Sequence, residues 1–83
     1  MGCALTTSTA GKVPSDPAFE PVWGAFERRG EVVILHPAGL NACSPLLSPA
    51  LTWPVGSPIE DSVAVVQLIA SNYPSRFPGV RIV

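Results

Sequence analysis

Hydrophobic positions along this chain switch between two spacings. Cys3-Ala4-Leu5-Thr6-Thr7 is a short apolar and β-branched run ended by Ser8, Thr9 and Gly11, which predicts a strand and then a loop. From Phe19 the period lengthens. Phe19, Val22, Trp23 and Phe26 recur at helical intervals, with Asp16-Pro17 as cap and first-turn proline and Arg28-Arg29-Gly30 as the close. Pro21 has no N–H to give, so the regular helix is expected to begin near it, after a lead-in turn. Trp23 and Phe26 are the expected helix-to-sheet core.

In Glu31-Val32-Val33-Ile34-Leu35-His36-Pro37, four successive apolar residues predict a strand buried on both faces, the mark of a central parallel strand. A loop of about twenty residues follows, rich in Pro, Ser and Leu and carrying Trp53; loops this long in small domains are functional or disordered. Ser57-Pro58-Ile59-Glu60 predicts a helix start in which Ser57 accepts from the N3 amide and Glu60 reaches back to the cap amide. The helix from Ile59 to about Asn72 has only a thin polar stripe, Glu60, Gln67 and Ser71, so it is expected to be covered on more than one side. Tyr73-Pro74 stops it, Phe77-Pro78-Gly79 turns the chain with Phe77 as a packing anchor, and Val80 to Val83 begin another strand. Strand, helix, strand, helix, strand is the order of right-handed βαβ units on a parallel sheet.

Composition narrows the function. At 83 residues with 13% charged and 47% hydrophobic, and a mean hydropathy of +0.37, the chain is too apolar for an isolated domain of its length, where about a quarter of residues are usually charged. A piece of a larger assembly is the natural expectation. Five scattered basic residues against six acidic ones leave no stripe for phosphates, so nucleic acid is not expected as a partner. The longest mostly apolar stretch, Val63 to Ala70, falls far short of the roughly 20 residues that span a bilayer. Cys3 and Cys43 form no CxxC, and no signal peptide is evident, so a reducing cytoplasm is the default. Met1-Gly2-Cys3-Ala4-Leu5-Thr6 fits the short pattern for acylation at Gly2 and Cys3; a strand is the stronger reading of the same residues.

His36 is the one histidine, at the C-terminal end of the central strand, where α/β folds carry their chemistry. Alternation puts Val32, Ile34 and His36 on one face, which in a closed barrel points inward with His36 at the mouth, and Val33 and Leu35 on the other. Pro37 holds His36 extended. Two readings stand: an imidazole hydrogen-bonded to a loop carbonyl, or one ligand of a metal site that needs about three. Glu31 and Asp61 are the nearest carboxylates by element ends, with Glu31 at the wrong end of its strand. Trp53, in the loop leaving that strand, is either a cover over a substrate site or a hydrophobic plug.

Taken together, several runs resemble the amidohydrolase-related family that includes aminocarboxymuconate semialdehyde decarboxylase. They are Asp16-Pro17-Ala18-Phe19-Glu20-Pro21-Val22-Trp23, Arg29 through Pro37, Trp53-Pro54-Val55-Gly56-Ser57-Pro58-Ile59-Glu60-Asp61-Ser62 and Arg76 through Val83, in order and at matching spacing. Gly2 through Ser8 is similar to the preceding strand in the branch that includes 6-methylsalicylate decarboxylases. The resemblance implies a metal-dependent (β/α)8 barrel that decarboxylates, or less often hydrolyses or hydrates, unsaturated and aromatic carboxylic acids. It also implies that the histidine of the His-Pro pair, here His36, ligates a divalent metal, usually zinc.

The departures shape the expectation. The family's His-x-His pair would lie upstream of Met1, and its next active-site histidine and its metal-binding Asp downstream of Val83. The expected fold is therefore about three parallel strands and two helices of a single barrel domain, residues 1–83, in a fold that needs roughly 250 residues. This chain alone is expected to be catalytically inactive and to bind zinc weakly or not at all. The alternative is a non-catalytic partial-barrel module that covers its apolar second helix by pairing with another chain or with itself.

Overall fold

Three short strands lie side by side, all parallel, in the order β1 (Gly2–Thr6), β2 (Val32–His36), β3 (Arg81–Ile82). This computed structural model describes residues 2–39 and 48–83; Cys43 and the middle of the long loop lie outside the described residues. Gly2 pairs with Val32 and Thr6 with His36, so β1 and β2 end together. The ladder runs on beyond the strands: Thr7 N donates to His36 O at 3.0 Å, and Val83 N donates to Val33 O at 2.8 Å.

Helix α1 (Glu20–Arg29) crosses from β1 to β2. Asp16 caps a 3-10 turn, Pro17–Phe19, accepting from Ala18 N at 2.9 Å, so the regular helix starts next to Pro21 as its missing N–H requires. Gly30 closes it in the left-handed region at φ 62, donating its amide to Glu27 O at 3.1 Å. Helix α2 (Ser57–Ala70) and a single turn, α3 (Tyr73–Arg76), lead to β3.

Both helices pack on one face of the sheet. Cys3, Leu5, Leu35 and Ile82 meet a core of Trp23, Val33, Leu68 and Tyr73, with Phe19, Phe26, Phe77 and Val80 around it. Trp23 is its centre: 0% exposed, edge-on to Phe26 and Tyr73 at centroid distances of 5.8 and 5.3 Å. Its Nε1 donates to Pro14 O at 2.9 Å, which removes the cost of burying the indole N–H. The opposite face is open. Ala4, Thr6 and His36 are exposed there, and Ile34 is 48% exposed. Three parallel strands, two main helices on one face and an open second face make an α/β unit built like part of a (β/α)8 barrel wall.

Three expectations need correction. Strand β2 is not buried on both faces, because Ile34 and His36 lie exposed on the open face. The reciprocal Ser57–Glu60 cap does not form, because α2 continues from a π-helical turn, Thr52–Gly56, and the Ser57 amide is already bonded to Thr52 O. Ser57 Oγ points to the same carbonyl at 3.5 Å, and Glu60 is left for other partners. Nor is α2 covered on more than one side. Ala64 and Leu68 are buried, Leu68 in the core with Val33, whereas Val63, Val66 and Ile69 are exposed. Tyr73, read only as a helix stop, is a core residue at 1% exposed.

The Tyr73 hydroxyl donates to Ser15 O at 3.2 Å, and Arg76 lies over its ring at 4.9 Å. Burial, followed by the nearby Glu20 charge, pushes the phenol above its ordinary 10.0, with Arg76 pulling the other way. The folded chain therefore holds this proton more tightly than the unfolded one. That contribution is whole below about pH 10 and is lost as pH rises through the raised folded value. Tyr73→Phe is expected to cost about 1 kcal/mol at neutral pH through the lost hydrogen bond and to flatten the decline in the urea midpoint above pH 10.

Candidate functional site

Parallel strands that end together leave the next residues of the chain to find their own hydrogen-bond partners. At the end of β2, His36 is exposed on the open face, and Pro37 follows it. The imidazole Nδ1 lies 2.8 Å from Pro37 O. A carbonyl oxygen only accepts, so Nδ1 carries the proton and Nε2 holds the lone pair in the neutral ring. The loop-carbonyl reading of His36 is met, and the same bond leaves Nε2 as the nitrogen open to a ligand.

The next amides are held from below by Glu60, in the first turn of α2 and 7% exposed. Glu60 Oε2 accepts from Ala38 N at 2.7 Å, Gly39 N at 3.2 Å and the Thr7 hydroxyl at 3.0 Å. Thr7 Oγ1 in turn accepts from Ala38 N at 3.2 Å. Two successive amides and a hydroxyl thus converge on one carboxylate oxygen, as charge-assisted bonds that join the ends of β1 and β2 to the start of α2. Gly39 adopts φ 73, which turns its amide onto the same oxygen.

Trp53 closes the turn from the other side. It is 60% exposed, and its ring lies over Gly39, where an added Cβ would meet Cη2 at 2.7 Å. The structure therefore brings His36 and Trp53 to the two ends of one short turn. It does not bring Asp61, whose Oδ1 is buried without a hydrogen-bond partner among the described residues, and Glu31 sits at the far end of β2. Among the described residues no three His, Cys, Asp or Glu side chains gather as a metal cluster. His36 fits the chemistry of a metal ligand through Nε2, as one ligand of a set.

Glu60 and Thr7 were not legible as site residues. Glu60 had a plausible local use in a helix cap, and Thr7 read as the last residue of a strand. The available signal was a carboxylate on a nearly apolar helix, which needs buried donors wherever that helix meets the sheet.

Thr7→Val keeps the shape and removes one donor to a buried carboxylate. It is expected to destabilise the chain by about 1–3 kcal/mol, read as a lower urea midpoint with an unchanged m-value.

No protein-family model matches the chain. Two curated decarboxylases do. The decarboxylase yanB of Aspergillus niger is 39% identical over 71 residues, covering 80% of this chain and 19% of that protein. The 2-amino-3-carboxymuconate-6-semialdehyde decarboxylase of Dictyostelium discoideum is 26% identical over 81 residues, covering 98% of this chain and 23% of that protein. The chain thus spans about a fifth of the length of the curated relatives it matches, and over that length it is similar to decarboxylases.

Proposed function

We propose that this chain is a wall segment of a metal-dependent decarboxylase barrel acting on an unsaturated or aromatic carboxylic acid. His36 supplies one ligand to a divalent metal, zinc, and Trp53 borders the substrate. The observation that carries the reading is the placement of His36, with Nδ1 2.8 Å from Pro37 O, at the carboxyl end of the central parallel strand. Similarity to two decarboxylases supports it from a different direction. A catalytic metal polarises substrate oxygens, the chemistry that loss of carbon dioxide from such an acid requires. This chain's own part is narrower: it presents the imidazole, and it keeps the turn behind it rigid through Glu60 and Thr7.

The second reading, a non-catalytic module that pairs with another polypeptide or with a second copy, draws on the exposed Val63, Val66 and Ile69 of α2. Size-exclusion chromatography separates the two, since a discrete soluble dimer favours the module.

Carbon dioxide release from salicylate-like and unsaturated acids tests the enzyme reading. The 83-residue chain alone is expected to release none. The same chain extended through its flanking reading frame is expected to be active, and to lose that activity on chelation and in His36→Ala. Activity that survives both treatments would sink the proposal.

A further inference from the structure

We propose that Glu60 is a positioning residue that sets the proton pattern of His36 through a single peptide group. The inference deepens the decarboxylase reading, on which it rests for the purpose of the imidazole, and its test reads a different quantity. The peptide linking Pro37 to Ala38 is bonded at both ends. Its N–H donates to Glu60 Oε2 at 2.7 Å, and its carbonyl oxygen receives the His36 Nδ1 proton at 2.8 Å. Negative charge against an amide N–H drives electron density toward the amide oxygen, so the carboxylate makes Pro37 O a stronger acceptor than an ordinary loop carbonyl. The Nδ1–H form is favoured in proportion, and Nε2 becomes the more electron-rich donor to a ligand. A carboxylate bonded directly to an imidazole has the same effect on a metal-binding histidine; here the carboxylate acts at one remove.

The geometry leaves the peptide little freedom to escape. Proline fixes its own φ, so only ψ remains free on that side of it. On the other, Gly39 turns a second amide onto the same carboxylate oxygen, and the Thr7 hydroxyl holds that oxygen from the β1 side. A rotation that broke the His36 contact would also pull the Ala38 amide away from a buried charge.

The chain's one histidine makes the test direct. In protein labelled with 15N-histidine, at a pH where the imidazole is neutral, two-bond 1H–15N correlation spectra separate the two tautomers. The wild-type chain is expected to show mainly Nδ1–H. Glu60→Gln, which keeps the shape and removes the charge, is expected to lower the ratio of Nδ1–H to Nε2–H by roughly threefold, and Glu60→Ala by more. The Trp23 indole N–H resonance, shifted by its ring neighbours, reports that each variant is folded. A wild-type chain dominated by Nε2–H overturns the proposal. So does a folded Glu60→Gln variant whose ratio is unchanged, the result a purely structural Glu60 would give. If Glu60→Ala does not fold, the Gln variant decides. Failure of the decarboxylase reading looks different: no metal-dependent carbon dioxide release from the extended protein, with the tautomer ratio still responding to Glu60.

Discussion

Burying the Glu60 carboxylate without partners would cost several kcal/mol, and meeting that demand fixes the geometry at one end of the sheet. The donors have to come from groups that the strands no longer pair. Thr7 supplies its hydroxyl just past β1, and Ala38 and Gly39 supply amides just past β2. Because β1 and β2 end in register, with Thr6 opposite His36, all three donors reach a single oxygen from two directions. Helix α2 is therefore tied to both strands by its first turn, while Ala64 and Leu68 pack further along it.

The strand and helix order was legible because each element carries its own period and its own punctuation. Asp16, Pro17 and Pro21 located the start of α1, and Gly30 its end. The uninterrupted run from Val32 to Leu35 marked the central strand, and β2 is paired on both sides. What escaped were properties that depend on partners distant in sequence. Glu60 lies fifty-three positions from Thr7, and its local signal, a serine three residues before it, pointed to a cap that the π-helical turn made unnecessary. Tyr73 read as punctuation because Pro74 follows it, yet its ring completes the aromatic cluster around Trp23. His36 was legible in position, and its tautomer was not, since that depends on where one carbonyl points.

The high apolar fraction has a location. Val33, Leu68 and Trp23 account for the inside. Much of the excess is exposed: Ile34 on the uncovered sheet face, Val63, Val66 and Ile69 on α2, and Leu51, Trp53 and Val55 in the turns before it. A barrel wall has this character, because its inner face is filled by side chains from other strands and its helices by neighbouring helices. The same argument explains why alternation along β2 predicted the faces correctly while the burial of α2 was overestimated. Alternation concerns geometry within one strand, whereas burial depends on which neighbours are present.

An acid acting through a peptide differs from one acting directly. A carboxylate in contact with Nδ1 brings its full negative charge directly against the imidazole ring. Moving Glu60 behind the Pro37–Ala38 peptide keeps its polarising effect on the imidazole while two amides and a hydroxyl absorb part of its charge. The proline contributes by withholding an N–H, which leaves the Ala38 amide as the first after His36 that can donate to the buried carboxylate. The order His-Pro-Ala-Gly thus orients the imidazole, presents one carbonyl to it and turns the next two amides toward the carboxylate, each step following from the backbone chemistry of the residue that makes it.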